Sequence, residues 1–183
     1  MNSLELKDKA NCEVVRREDK PVRHALPLKG KFHIQHIRAG KVIGEYDVPN
    51  GITDVGLNSL LDVYFHAVSQ ITTWYIGLVD NNAFSMFAAG DTSASHGGWA
   101  ESSDYDEATR PEWTEGAASG RAITNGTTVD FTINATKTIH GLFIISENTK
   151  GGSTGTLWST AAFASNVAVQ DDDVLKVTYT VSG

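Results

Sequence analysis

Two stretches of the chain, TWYIGLV (73–79) and TIHGLFII (138–145), are apolar at almost every position. Continuous apolar runs of this kind are the pattern of central β-strands covered on both faces. By the same reading Trp74, which opens the first run, is expected in the core. Much of the remaining chain alternates with a period of two. In KFHIQHIRAGKVIGEYDV, Phe32, Ile34, Val42, Tyr46 and Val48 fall on even positions. Ala39-Gly40 sits between the halves, and glycine takes positive φ freely, so residues 31–48 predict a β-hairpin. TVDFTI (128–133) alternates, and TLWSTAAF (156–163) is a weaker strand candidate. VLKVTYTV (174–181) sets Leu175, Val177, Tyr179 and Val181 inward and Lys176, Thr178 and Thr180 outward. Turn residues punctuate these runs at Asn125-Gly126, Lys150-Gly151-Gly152 and Asp171-Asp172-Asp173.

Only one segment has helical spacing. After a turn at Asn50-Gly51 and an N-cap at Thr53 or Asp54, Leu57, Leu60, Leu61, Tyr64 and Phe65 form a single apolar stripe. A lone helix of this kind is expected to plug one end of a β structure. The predicted fold is therefore all-β, a two-sheet sandwich or jelly-roll with one short helix. Between about 80 and 122 the pattern lapses into a long irregular excursion, in which AFSMFAAG (83–90) is expected to form a helical turn.

Residues 1–29 have no useful periodicity, are interrupted by Pro21 and Pro27, and carry seven Lys/Arg against five Asp/Glu. They are read as an extended N-terminal arm joined to a β-sandwich domain at 30–183, and the arm is expected to order against a neighbouring subunit. Arg16, Arg17, Lys20 and Arg23 are its candidate contacts. The body is acidic, and the whole chain has a net charge of -7, which argues against a nucleic-acid partner. No apolar run is long enough to span a membrane, and the first residues lack the apolar core of a signal peptide. Cys12 is the only cysteine. It rules out an internal disulfide and fits folding in a reducing cytoplasm.

The chemistry-bearing stretch is SHGGWAESSDYDEATRPEWTEG (95–116), with six carboxylates, two tryptophans, a tyrosine and one arginine. Paired carboxylates could serve a glycosidase, and aromatic rings could stack on sugar. Trp, Tyr and Arg are also the residue types that carry interface energy, so Trp99, Tyr105, Arg110 and Trp113 are assigned to partner docking, with at least one tryptophan anchoring the loop. The stretch is short of the aliphatic residues that would hold a catalytic carboxyl neutral, so no catalytic residue is assigned. His33 and His36 are three apart and on a strand would point to opposite faces, and Asp171–Asp173 lacks calcium-loop spacing. No metal and no cofactor is expected. Nucleophile elbows and phosphate loops are absent from the sequence.

The ordered blocks VGLNSLLD (55–62), WYIGLVD (74–80), DTSASHGGWAESSDYDEATRPEW (91–113), FTINATKTIHGLFIIS (131–146), GGSTGTLWSTAAF (151–163) and DDDVLKVTYTV (171–181) resemble small structural proteins encoded by tailed bacteriophages. The resemblance spans roughly residues 50–181. It implies a non-enzymatic virion component made in the host bacterial cytoplasm. Capsid cement or decoration on the capsid surface is favoured, a homo-oligomer bridging the major capsid protein and neighbouring copies of itself. The alternative is a tail or fibre component that binds host-surface glycan. Residues 1–49 lie outside the resembling blocks.

Overall fold

The computed structural model describes residues 27–82 and 84–183. Its elements are β1 (Lys29–Arg38), β2 (Lys41–Pro49), β3 (Gly51–Ile52), α1 (Asp54–Phe65), β4 (Tyr75–Asp80), β5 (Ala100–Ser102), β6 (Ala122–Thr124), β7 (Val129–Thr132), β8 (Lys137–Ile145), β9 (Leu157–Val169) and β10 (Val174–Ser182). They form two antiparallel sheets. One has the order β2-β1-β10-β6, with β7 also on β10, and the other the order β3-β9-β8-β4-β5. The architecture is the all-β two-sheet sandwich that the alternation predicts.

The hairpin follows from its turn. Ala39 and Gly40 both take positive φ, the two-residue geometry whose twist matches the flanking strands. Phe32, Ile34 and Val48 are buried against Leu175, Val177 and Tyr179 of β10, facing Ile76, Leu78, Leu142 and Ile144 from the other sheet. Val42 departs from the expected pattern and is exposed, because a bulge between His36 and Ile37 shifts the register near the hairpin tip.

The two continuous apolar runs are covered on both faces. Alternate residues enter the central core, while Val79, Phe143, Ile145 and Leu157 face outward beneath Trp99, Phe84 and Phe87. The irregular excursion after β4 is thus the second cover of its own sheet. Gly77 is required there, since a Cβ would stand 2.2 Å from the Phe143 ring. AFSMFAAG forms no helical turn in its described residues. Phe84 stacks on His140 at 3.5 Å, and the backbone of Ser85 bonds across to Gly98 instead. The stretch 156–163, the weakest strand candidate by pattern, belongs to the longest strand. A register shift opposite His140 explains the blurred alternation: four residues of β9, Phe163–Asn166, lie across from that one position.

The strands give the sandwich two different ends. β1 and β10 run between the Arg38–Asp173 end and the Leu28–Val181 end, and β4, β8 and β9 run alongside them. At the first end the Asp171–Asp173 turn closes the β9–β10 hairpin and buries Asp173. Its carboxylate accepts two bonds from Arg38 (2.8 and 2.7 Å), one from His36 Nε2 (2.8 Å) and one from the Gln170 amide (2.8 Å). His36 faces inward and His33 outward, as their strand spacing predicts. The Arg38 guanidinium, followed by His36, holds the Asp173 carboxyl well below the usual carboxylate range despite its burial.

Candidate docking site

The other end of the sandwich opens into an apolar cleft of about 350 Å3. Trp113, Tyr179 and Val181 line it from one sheet side, and Trp74, Ile144 and Trp158 from the other. Trp74 and Trp158 approach with ring centroids 6.0 Å apart. Trp74 is therefore a half-buried rim residue rather than the core residue its run predicts, because it precedes β4 where the sheet ends. The floor has one polar point: the Tyr179 hydroxyl accepts from Trp158 Nε1 (2.9 Å) and Asn50 Nδ2 (2.8 Å), and burial pushes its phenol above the usual range.

Helix α1 overhangs this cleft through Leu60 and Val63. Thr53 caps it, accepting from the Gly56 amide at 3.0 Å, and the Thr53 amide donates to Trp158 O, tying the helix start to β9. Gly56 is the one buried residue of the helix. A Cβ there would meet Trp158 O at 2.6 Å, so the helix crosses β9 backbone to backbone at that point. The apolar stripe was expected to plug the sandwich and does not. Leu57, Leu60 and Leu61 are exposed, Tyr64 is 79% and Phe65 76% accessible, and Val68 extends the patch. Seated close at Gly56, with only Val55 packed into the outer core, the helix leaves its longer side chains largely outside.

The acidic, aromatic stretch is built differently from its expected role. Trp99, Tyr105, Arg110 and Trp113, which their residue types assign to partner contact, are all interior, at 7%, 1%, 3% and 6% exposure. Trp99 donates to Asp91 and is stacked on His96 at 4.1 Å. Trp113 donates to Asn125 Oδ1 and Tyr179 O, and its ring becomes a cleft wall. Tyr105 packs edge-on against Phe131, under the Lys150 ammonium 3.7 Å from its ring centroid; burial raises its phenol pKa. Arg110 forks onto Glu101 with two 2.8 Å bonds and donates to the carbonyls of Glu147 and Gly152. A segment with few aliphatics holds itself down with rings and one buried ion pair, which removes those groups from the surface.

The carboxylates are likewise engaged separately. Glu101 serves Arg110, Asp104 meets Lys137 at 2.9 Å, and Glu107 accepts from the Thr132 amide. Glu112 and Glu115 are exposed. Among the described residues no group of three or more His, Cys, Asp or Glu side chains is placed to hold a metal ion, and no helix is long and apolar enough to cross a membrane. Arg16, Arg17, Lys20 and Arg23 lie outside the described residues. The cleft and the bare helix were only half legible in sequence. The stripe was visible, but its facing depends on Gly56, and Trp158 stood in a strand whose alternation is broken by the bulge. No protein-family model and no curated protein matches this chain.

Proposed function

We propose that the protein is a non-enzymatic structural subunit that works by docking, through α1 and the adjoining cleft, within a larger assembly. The observation that carries this reading is the apolar stripe of α1. Five large side chains on one helix stand open to solvent beside an aromatic cleft, and contiguous apolar surface of this kind marks interaction sites. The resemblance of the sequence blocks to tailed-phage structural proteins supports reading the assembly as a virion, and the lack of fibre-like repeats or heptads in the sequence favours capsid cement, a small protein bridging shell subunits and copies of itself. Many weak seams add up by multivalency, so a modest face suffices for such a part. The burial of Trp99 and Trp113 takes away the ring faces through which the 95–116 stretch would stack on a glycan.

The test is copy-number mass spectrometry of purified virions, wild type beside Leu61→Glu. Cement predicts a copy number in proportion to the shell subunits and a sharp fall for the variant, with folding unchanged. A few copies per particle would place it in the tail, and absence from particles would refute the virion reading.

A further inference from the structure

The α1 face and the cleft form one surface with a definite chemical character. No lysine or arginine occurs anywhere between Lys41 and Arg110. The helix wall carries exposed Asp54 and Asp62, and Glu115 lines the cleft. Among the described residues none of these three carboxylates is paired with a basic group. The nearest basic residues in sequence to cleft-lining positions, Lys29 and Arg121, are exposed and do not line the cleft. The face is therefore apolar with an acidic edge, and it calls for an apolar segment studded with positive charge.

The same chain carries one. Residues 14–26, VVRREDKPVRHAL, combine Val14, Val15, Val22 and Leu26 with Arg16, Arg17, Lys20 and Arg23 against only Glu18 and Asp19. The segment joins the body at the face itself, since Leu28 lines the cleft just before β1. Val22 is six residues upstream, about 20 Å of extended chain. Twelve helical residues span about 18 Å, so the reach matches α1. The stripe is nonetheless exposed in the single chain.

Resting on the docking role of this face, we infer that its occupant is the arm, residues 14–26, of a second copy of this chain. Because each arm leaves from the rim of the face it would fill in a neighbour, two copies brought face to face by a two-fold axis exchange arms reciprocally. Such an isologous swap satisfies both faces at once. Val22 and Leu26 lie over Leu57, Leu61 and the cleft mouth, and the arginines meet Asp54, Asp62 and Glu115, which steers the encounter and sets its register.

The experiment co-expresses two full-length chains in a Cys12→Ser background, one tagged and bearing Val22→Cys, the other bearing Leu61→Cys. Mild oxidation, non-reducing gels and peptide mass spectrometry then read cross-links between chains. A 22–61 heterodimer is expected, about tenfold above a control pair with Ser165→Cys on the β9 bulge, and about tenfold weaker when Asp62→Lys is added. A heterodimer yield no greater than the Ser165→Cys control overturns the exchange. So does a chain carrying both cysteines that closes only on itself. The virion assay keeps the two readings separate. Cross-linked dimers of a protein absent from particles would sink the assembly role alone; incorporation without the cross-link would sink the arm exchange alone.

Discussion

Replacing Arg110 by methionine should unfold the protein far more easily than any surface change, and the structure says why. The guanidinium is 2% exposed and its partner Glu101 7%. Arg110 donates four hydrogen bonds, two to Glu101 and one each to Glu147 O and Gly152 O. Methionine keeps an unbranched apolar stem but loses all four, together with the guanidinium's position 5.3 Å over the Phe143 ring. Glu101 is left buried with the Gly151 amide as its remaining donor, and two carbonyls lose theirs. Breaking a buried pair from one side costs about 3–5 kcal/mol, because the surviving charge is uncompensated. For a chain of this length that is a fall in Tm of roughly 6–20 °C. Urea denaturation of Arg110→Met, Glu101→Leu and the double variant closes the cycle. The double variant should lose less than the sum of the singles, with coupling of about 1–3 kcal/mol. Recovery stays incomplete because Gly151 still lacks its acceptor. A loss under about 1 kcal/mol for Arg110→Met, the scale of an exposed pair, would refute the claim that this fork anchors the excursion.

Asp173→Asn should remove part of the acid sensitivity of folding. The native carboxyl titrates below its unfolded value, so its contribution is complete above the ordinary carboxylate pKa near ~4 and disappears as pH falls below it. Urea midpoints from pH 7 to 2 should therefore drop less steeply in the variant, and an unchanged acid slope would contradict the assignment. Tyr105→Phe removes a buried hydroxyl that has no partner among the described residues, so stability should hold or rise by up to about 1 kcal/mol. A clear loss in thermal melts would mean that the hydroxyl is bonded. Gly56→Ala places a Cβ 2.6 Å from Trp158 O. It should cost about 1–3 kcal/mol by lifting α1, against the roughly 1 kcal/mol gain in helix propensity; a stabilised variant would show that the helix is not seated there.

Pattern reading succeeded where a single physical demand acts on a segment. Period two in 174–181 and the positive-φ turn at Ala39-Gly40 each follow from local rules, and both hold. It faltered where a second segment decides the outcome. The two continuous runs announced double coverage, but nothing local said that the cover would be Phe84, Phe87 and Trp99 from the excursion next in the chain. The same excursion looked like a contact surface because aromatic and charged residues serve interfaces and loop anchoring equally well. Only the position of Glu101 opposite Arg110 separates the two roles. The α1 stripe was legible as amphipathic, and its exposure was not, since it hangs on one glycine meeting one β9 carbonyl.

The two ends of the sandwich explain why association and stability can be separated in this protein. β1 is ten residues long, so about 30 Å lies between Arg38 and Leu28. At the Arg38 end the polar groups find partners within the fold: buried Asp173 with Arg38 and His36, and partly exposed Lys137 with Asp80 and Asp104. This end has a polar cavity of about 530 Å3 lined by Arg38, Asp80 and Lys137, and covering it with apolar surface would desolvate charges that already have partners. At the Leu28 end the exposed groups are mostly apolar, with Asp54, Asp62 and Glu115 at the edge. Covering that end with an apolar, basic partner gains apolar burial and gives these carboxylates partners. A change confined there, such as Leu61→Glu, should leave the unfolding midpoint within about 0.5 kcal/mol while abolishing association, whereas Arg110→Met should do the reverse at temperatures where the variant remains folded. If Leu61→Glu unfolds the chain, α1 belongs to the core in solution and the open face is not a docking surface.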